Sequence, residues 1–380
     1  MVVQSILEVK SGDTLGTVRE FLKAVMEKGV ADTLLVPLEV PNPELVTPIL
    51  VKEPSELDTA NPLAPVMRVN AAAVLARMHR DDGVGRLGAV LRPCELRAAI
   101  ELAKVGRVDI HRLVLIGVDC MGTYEGDAYC QIARASLREE SCTDEMMRWT
   151  RQGPIAPYRL RNSCQMCEHF IAENADLAIG LIGYNVRERL LVEAREDYAE
   201  ELDLKPGQAN GREKAIARLA TIRHHRREEA LTQASKLIGD LSALCGLIAP
   251  CTACGECMEA CPFCNTSAFM PKPAKEPHTD RVRNWPSGEG RMMRGRDMGI
   301  FGELVEMSRR AASCVACGMC ESSCPRHVPL AAIQGVLGRR VQEEYNYVPG
   351  RSLEERLPWA RDYEDRLGPF QEEYRFAKLV

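Results

Sequence analysis

The sequence predicts an α/β domain with a mostly parallel sheet and flanking helices, followed by a mostly helical, cysteine-rich domain. Strand-like and helix-like segments alternate over about the first 120 residues, which is typical of a parallel sheet covered by helices. A charged helical stretch follows Asp203, and two cysteine motifs of identical spacing come after Pro250. We therefore expect four parts: an α/β domain (1–205), a helical linker (206–240), a helical cysteine-rich domain (241–335) and a tail (336–380) that docks on a partner or wraps its own domain.

The first elements alternate in regular order. SILEV is a short strand, and SGDTLGTVREFLKAVMEKG is a capped amphipathic helix that ends at Gly29. ADTLLVPLEV is a strand, TPILVKEPSELDTANPLAP mixes extended and turn-rich sequence, and VNAAAVLARMHRD is helical. This order favours parallel strands, because helical crossovers connect strands that run in the same direction.

The next strands end in residues suited to a ligand site. RLGAVLRPCELRAAIELAKVGRV predicts a strand, a tight loop and a helix, and LVLIGVDC predicts a buried strand. Residues 121–170 are irregular and rich in cysteine, after which LAIGLIGYNVRERLLVEA returns to strand character. Ligands bind beyond the carboxyl ends of such strands. RPCE (92–95) and DCMGTYE (119–125) occupy those positions.

Composition excludes some function classes and favours others. The 49 basic and 54 acidic residues leave a formal charge of −5, which argues against nucleic-acid binding or a polybasic membrane anchor. We see no apolar run of the roughly 20 residues that a membrane span needs, and no secretory signal, so we expect a cytoplasmic protein. Sixteen cysteines against seven histidines then favour thiolate metal sites, since disulfides are rare in reducing compartments.

Two cysteine motifs share the spacing C-x-x-C-x-x-C-x-x-x-C-P. The first runs from Cys251 to Pro262 and the second from Cys314 to Pro325. In this pattern three cysteines wrap one 4Fe-4S cluster, and the fourth points to the other cluster. We therefore predict two clusters, one held by Cys251, Cys254, Cys257 and Cys324, and one held by Cys314, Cys317, Cys320 and Cys261.

The residues between and beside the ligands support this interpretation. Gly255 and Gly318, beside the second cysteine of each motif, let the backbone turn tightly. Zinc sites use pairs of C-x-x-C rather than such triplets. We take Cys245 and Cys264 as core or shielding thiols rather than ligands. The helix-rich connection, which includes GIFGELVEMSRRAAS, resembles the helical dicluster ferredoxin domains of respiratory and heterodisulfide-type reductases.

A third group of cysteines lies in the first domain, at Cys120, Cys130, Cys142, Cys164 and Cys167, with Cys94 upstream. The segment CQMCEHFIAENADLAIGLIG resembles a signature of the β-subunit family of deazaflavin-coenzyme (F-420) reducing hydrogenases and formate dehydrogenases. In that signature a C-x-x-C pair is followed by A-E-x-A-D-[IL]-[SA]-[IV]-G. GDTLGTVREFLKAVMEKGVADTLLVP, GAVLRPCELRAAIELAK and LIGVDCMGTYE resemble other parts of that family. The likeness covers about the first 200 residues.

This resemblance implies a flavin and a proximal 4Fe-4S cluster at the carboxyl ends of the sheet. Cys120, Cys164 and Cys167 match the family's cluster cysteines, and we prefer Cys142 as the fourth ligand, with Cys94 as its rival. The loop residues expected to approach FAD are Gly16, Arg68, Asn70, Arg92, Pro93, Glu95 and Gly183. Arg92 either pairs with the flavin pyrophosphate or forms an ordinary salt bridge.

We expect an electron-transfer subunit in which FAD and the clusters exchange electrons with partner subunits, with no protein acid–base pair acting in catalysis. The expected partners are a catalytic dehydrogenase or hydrogenase subunit, heterodisulfide-reductase-like subunits, ferredoxin or a deazaflavin coenzyme. Two alternatives stay open: an iron-sulfur conduit without flavin, and a self-contained flavin reductase supplied by ferredoxin. RPCEL keeps the first of these open, because it replaces the G-T-P-C-Q type loop of the family.

Overall fold

The computed structural model describes residues 2–40, 45–78, 85–136, 141–151, 160–207, 211–252, 254–264 and 310–358. Seven strands form one mixed sheet in the order β1-β7-β6-β5-β4-β2-β3. The strands are β1 (Val2–Glu8), β2 (Thr33–Glu39), β3 (Val46–Val51), β4 (Leu87–Leu91), β5 (Leu113–Val118), β6 (Leu177–Gly180) and β7 (Arg189–Arg195).

Twelve helices lie within the described residues. Those of the first domain are α1 (Thr14–Glu27), α2 (Ala71–Arg77), α3 (Pro93–Lys104), α4 (Gly126–Ser136), α5 (Cys142–Met147), α6 (Asn162–Gln165) and α7 (Glu196–Glu201). The others are α8 (Arg212–Ile238), α9 (Leu241–Ile248), α10 (Glu256–Ala260), α11 (Met319–Ser322) and α12 (Leu330–Glu344). Short 3₁₀ turns form at Lys10–Gly12, Pro54–Thr59, Ile110–Arg112 and Arg148–Arg151.

The centre of the sheet is parallel and its edges are antiparallel. β2, β4, β5 and β6 pair in parallel, whereas β3 joins β2, and β7 joins both β6 and β1, in antiparallel fashion. The predicted α/β class with flanking helices is therefore confirmed, and the parallel strands are its central four. Their carboxyl ends meet at one edge, which is where RPCE and DCMGTYE lie.

Strand side chains alternate between two apolar cores on opposite faces of the sheet, as the period of a strand requires. On β4, Val90 faces one core while Ala89 and Leu91 face the other. The second core also includes Phe263 and Val315, which come from the cysteine-rich part of the chain. That part therefore packs directly on the α/β domain.

The expected linker and tail also pack on other parts of the protein. The 27-residue helix α8 buries Arg212, Leu219 and Arg223, so it is docked along part of its length. Helix α12 crosses the expected boundary between residues 335 and 336. Beyond it, the phenol of Tyr347 donates a hydrogen bond to the buried carboxylate of Glu101 on α3. The described part of the tail thus packs on the α/β domain, and residues 359–380 lie outside the described part.

None of the described helices is both long and apolar enough to cross a membrane.

Candidate functional site

The carboxyl edge of the parallel strands brings two cysteines together. β4 and β5 pair in parallel register, with Leu91 opposite Gly117. Cys94 lies in the first turn of α3, directly after β4, and Cys120 follows the end of β5 at Val118. The thiolate charge of Cys120 acts on Cys94 and helps to raise the pKa of Cys94. Neighbouring strands thus juxtapose two thiols that are distant in sequence.

The segment around α6 supplies two more cysteines to this edge. Cys164 lies within α6 and Cys167 follows it. The amide of Cys120 donates a hydrogen bond to the carbonyl of Phe170 (2.9 Å), and Thr123 Oγ1 lies 3.3 Å from Cys164 Sγ. These contacts hold the segment against the end of β5. We name Cys94, Cys120, Cys164 and Cys167 the proximal set.

Burial dominates the electrostatics of the proximal set. It raises the pKa of Cys120 to about 11 and holds that of Cys94 well above its ordinary value. Burial would also raise the pKa of Cys164, but the charge of Arg161 and hydrogen bonds from Thr123 outweigh it, so this pKa is lowered. Buried thiols that carry protons release them when a metal binds, because only the thiolate is a ligand.

Cys142, our preferred fourth ligand, lies elsewhere. It begins α5 and is buried in the apolar core, where burial raises its pKa to about 12 and the charge that acts on it is that of Glu145. Its thiolate charge acts on Tyr129. The structure brings Cys94 rather than Cys142 beside Cys120, because the turn between β4 and α3 faces the end of β5.

A second set of cysteines combines the two motifs crosswise. Cys261, from the first motif, acts electrostatically on Cys314, Cys317 and Cys320, from the second. Burial raises the pKa of Cys314 to about 11 and that of Cys317 to about 12. These are the four cysteines that the spacing assigns to one cluster. We name them the middle set.

A third set lines one pocket of the cysteine-rich domain. Cys251, Cys254, Cys257 and Cys324 surround it together with apolar side chains that include Ile248. Val328 and Leu330 complete its apolar wall. This is the other combination that the spacing predicts, and we name it the distal set.

The donor chemistry of all three sets fits 4Fe-4S clusters, because each set provides four soft thiolates. Among the described residues, no three His, Cys, Asp or Glu side chains are close enough together to chelate a single ion. A 4Fe-4S cluster presents four separate iron corners, so its thiolates surround a polynuclear group rather than one ion.

The two cysteines expected to be bystanders differ in their environments. Cys264 is buried beside Cys261, with which it shares a hydrogen bond, and it accepts another from Arg310 Nη1 at 2.7 Å. Its thiol therefore lies against a residue of the middle set. Cys245 lies on α9 and is partly exposed.

Arg92 and Glu95, expected near a flavin, are engaged within the protein. Arg92 Nη2 donates to the carbonyls of Ala64 and Val66, both at 2.8 Å. The carboxylate of Glu95 accepts from the backbone amides of Arg92 (2.8 Å) and Ala71 (3.0 Å). Arg92 and Glu95 thus organise the turn that carries Cys94. This geometry does not fit the expected role of Arg92 as a pyrophosphate ligand, because its buried Nη2 already donates hydrogen bonds to two backbone carbonyls.

Asn70 fits a bound ligand better. Its Oδ1 accepts from the amide of Ala72 (3.0 Å), but its buried Nδ2 has no hydrogen-bond partner among the described residues. A buried donor without an acceptor is costly, so a polar ligand atom here would be stabilising. The neighbouring Arg68 is exposed and donates to Cys130 Sγ at 2.8 Å.

The remaining expected flavin contacts are backbone positions. Pro93 occupies the first turn of α3, a position where its missing N–H costs nothing. Gly16 lines a cleft of ≈ 630 Å³ beside α1, and its amide donates to Asp13 Oδ1 (2.7 Å). Gly183 has φ +92°, and a Cβ there would meet Arg212 Cα at 2.6 Å. Gly183 is therefore explained by the close approach of α8.

The sequence analysis missed four buried or half-buried arginines that face these thiols: Arg97, Arg161, Arg223 and Arg310. Arg161 and Arg97 face both the proximal and the middle set. Arg223 faces the proximal set and Arg310 the middle set. The sequence offered a weak signal: Arg97, Arg161 and Arg310 lie three or four residues from Cys94, Cys164 and Cys314, whereas Arg223 is far in sequence from the thiols it faces.

Two family models match separate parts of the chain. A family model for the C terminus of the coenzyme F420 hydrogenase/dehydrogenase beta subunit matches residues 84–205, and one described as 4Fe-4S dicluster domain matches residues 248–328. The F420-dependent formate dehydrogenase subunit beta of Methanocaldococcus jannaschii is 22% identical over 368 residues, which is 88% of this chain and 91% of that protein.

Two further similarities cover less. The F420-dependent formate dehydrogenase 1 subunit beta of Methanococcus maripaludis is 22% identical over 227 residues, 53% of this chain and 57% of that protein. A chain of the F420-reducing NiFe hydrogenase complex from Methanosarcina barkeri aligns with 12% identity and a TM-score of 0.43, over 64% of this chain and 94% of that one. The protein thus carries a domain of the coenzyme F420 hydrogenase/dehydrogenase β-subunit family, followed by a 4Fe-4S dicluster domain.

Proposed function

We propose that this protein is the electron-transfer β-subunit of a formate dehydrogenase, hydrogenase or heterodisulfide-reductase-like complex. In this proposal the proximal, middle and distal sets each hold one 4Fe-4S cluster, and electrons pass along them in either direction. A flavin at the carboxyl edge of the sheet exchanges electrons with the proximal cluster. The distal cluster exchanges them with the next subunit.

The observation that carries this proposal is the contact between the proximal and the middle set. Gly318, which follows Cys317, approaches Ser163, which precedes Cys164, so closely that a Cβ at Gly318 would overlap Ser163 Oγ, and the charge of Cys317 contributes to the raised pKa of Cys94. The two sets are joined by buried protein rather than by a solvent gap, since Arg161, which faces both, is only 3% exposed. Such a junction suits electron transfer between cofactors.

The protein's own residues would hold the clusters and adjust their environment. The cysteines supply ligands, and the nearby arginines compensate the negative charge of clusters and thiolates in a buried site. Apolar side chains such as Phe263 and Val315 exclude water from the middle set, because they are buried in the second core. The potentials of the clusters depend on these hydrogen bonds and on burial.

For the flavin, the residues that fit are Asn70 and Arg68. When bound, FAD would convert a two-electron hydride transfer into single electrons. Asn70 Nδ2 would donate to a polar atom of the cofactor, and the exposed guanidinium of Arg68 would face its phosphates. Arg92 and Glu95 would position this edge through the backbone.

The proposed partners are supported by the similar Methanocaldococcus jannaschii protein, whose name identifies it as subunit beta of an F420-dependent formate dehydrogenase. We therefore propose a catalytic dehydrogenase or hydrogenase subunit as one partner and a deazaflavin coenzyme as the two-electron carrier. A flavin-free conduit is the second candidate, favoured by the engagement of Arg92 and Glu95 within the protein.

The test is reduction of the anaerobically purified full chain, followed by its visible absorbance. The proposal expects about one bound FAD, and bleaching of the clusters by reduced deazaflavin but not by NAD(P)H. A chain with clusters and no flavin would establish the flavin-free conduit. Reduction by ferredoxin without any partner subunit would favour a self-contained reductase. Asn70→Leu should lower the flavin content while the iron content stays unchanged.

A further inference from the structure

One guanidinium touches both sides of the junction between the proximal and the middle set. Arg161 Nε donates to Thr123 Oγ1 (2.8 Å), and its Nη2 donates to Cys164 Sγ (3.6 Å) in the proximal set. Its Nη1 donates instead to Ser322 Oγ (3.3 Å) and Met319 Sδ (3.5 Å) on α11, the helix that carries Cys320. The planar fork of arginine thus spans the two cluster sites.

The surroundings make this charge effective. Arg161 is only 3% exposed, so water screens its charge weakly. The guanidinium of arginine stays protonated in proteins, so the group that contacts Cys164 on one side and helix α11 on the other keeps its positive charge.

The elements that carry Arg161 are held against α11 by further contacts. Asn162 Nδ2 donates to Glu321 Oε1 at 2.9 Å. Gly318 has φ +74°, and a Cβ at this position would overlap Ser163 Oγ. The backbone of the dicluster domain thus approaches α6 as closely as it can, which fixes the position of Arg161 between the two sets.

We propose that Arg161 is a positioning residue that sets the reduction potentials of the proximal and middle clusters together. A fixed cation stabilises the more negative, reduced form of each cluster, so it raises both potentials. Each transfer moves one electron from one 4Fe-4S cluster to the next, and no bond forms or breaks. Because the cation lies near both clusters, it stabilises the reduced form of each one. The free-energy difference between them therefore stays small, and the electron can pass in either direction. This inference rests on the proposed clusters.

Two other arginines provide matched controls. Arg223 is similarly buried and donates to the carbonyls of Met121 (2.7 Å) and Cys167 (3.2 Å). Its charge acts on Cys120 and Cys167 of the proximal set. Arg310 donates to Cys264 Sγ and faces cysteines of the middle set. Removing the charge of Arg223 should therefore affect the proximal cluster, and removing that of Arg310 should affect the middle cluster.

The experiment is a redox titration of the full chain, followed by electron paramagnetic resonance. R223M should lower the potential of one signal and R310M that of another, which assigns the proximal and middle clusters. R161M should lower both, each by about a tenfold change in the ratio of oxidised to reduced cluster, which equals about 59 mV for one electron. R161K, which keeps the charge, should remain close to the wild type.

A shift of one signal only, or of neither, would overturn the inference, as would equal shifts in R161K and R161M. If R161M binds fewer than about 12 iron atoms, R161Q replaces it, since the amide nitrogen of glutamine corresponds to Arg161 Nε and keeps a donor for Thr123 without the charge. Iron loss from both neutral variants but not from R161K would still support a required charge, whereas loss from all three would refute it. A wild-type chain without proximal or middle signals would instead refute the proposed function.

Discussion

We predict that Cys94 is the fourth ligand of the proximal cluster, whereas the sequence alone favoured Cys142. We consider Cys94→Ala together with Cys142→Ala, which removes the rival thiol. Cys94 and Cys120 follow the neighbouring parallel strands β4 and β5, whereas Cys142 lies on α5 in the apolar core. The two substitutions remove the same sulfur atom, from a half-buried position at Cys94 and a buried one at Cys142, so they form a matched pair.

The expected loss of iron follows from the number of cysteine ligands that remain. Cys94→Ala leaves three ligands for a cluster that needs four, and the chain should lose about 4 of about 12 iron atoms. Cys142→Ala removes a buried sulfur that lies with Tyr129 and Glu145, so it should lower the free energy of unfolding by about 1 kcal/mol and leave the iron content unchanged.

The assay is iron and acid-labile sulfide per chain after anaerobic reconstitution, with urea unfolding of the metal-free chain as the measure of stability. Iron loss in Cys142→Ala, with full iron in Cys94→Ala, would refute the assignment drawn from the structure. Full iron in both variants would show that neither thiol is a ligand. Cys164→Ser serves as the positive control, because both assignments expect it to lose about 4 iron atoms.

Two further predictions concern how the cysteine-rich domain and the tail are held. Tyr347→Phe removes a donor to the buried carboxylate of Glu101, and should lower the free energy of unfolding in urea by about 1–2 kcal/mol; no change would mean that this contact does not form. Gly318→Ala should cost more stability and more cluster binding than Gly106→Ala. Both glycines have a positive φ, but a Cβ meets Ser163 only at Gly318, so equal effects on iron content would contradict the close packing at the junction.

Local patterns predicted much of the fold. The alternation of strand and helix indicated the parallel centre of the sheet, and the cysteine spacing assigned eight thiols to two clusters. The structure groups the same eight residues, as the middle and distal sets. These features follow from period and spacing, which are properties of short segments. The linker was less predictable, because α8 docks through buried side chains such as Arg223 that resemble exposed cations in the sequence.

The fourth proximal ligand could not be taken from local spacing. Cys142 is nearer to Cys164 in sequence, but Cys94 is nearer to Cys120 in the sheet, because β4 and β5 are neighbours. RPCE and DCMGTYE were both placed at the carboxyl edge, and that placement was the signal that favoured Cys94. Arg161 was missed for a related reason: one of 49 basic residues acquires its role only when burial places it between two sets of thiols.

The most direct test of three clusters in series is the iron and acid-labile sulfide content of the anaerobically purified wild-type chain, with Mössbauer spectroscopy to identify the cluster type. We expect about 12 iron and about 12 sulfide per chain, all in 4Fe-4S clusters. About 8 of each would leave the proximal set without a cluster and would contradict the series that connects the sheet edge to the dicluster domain.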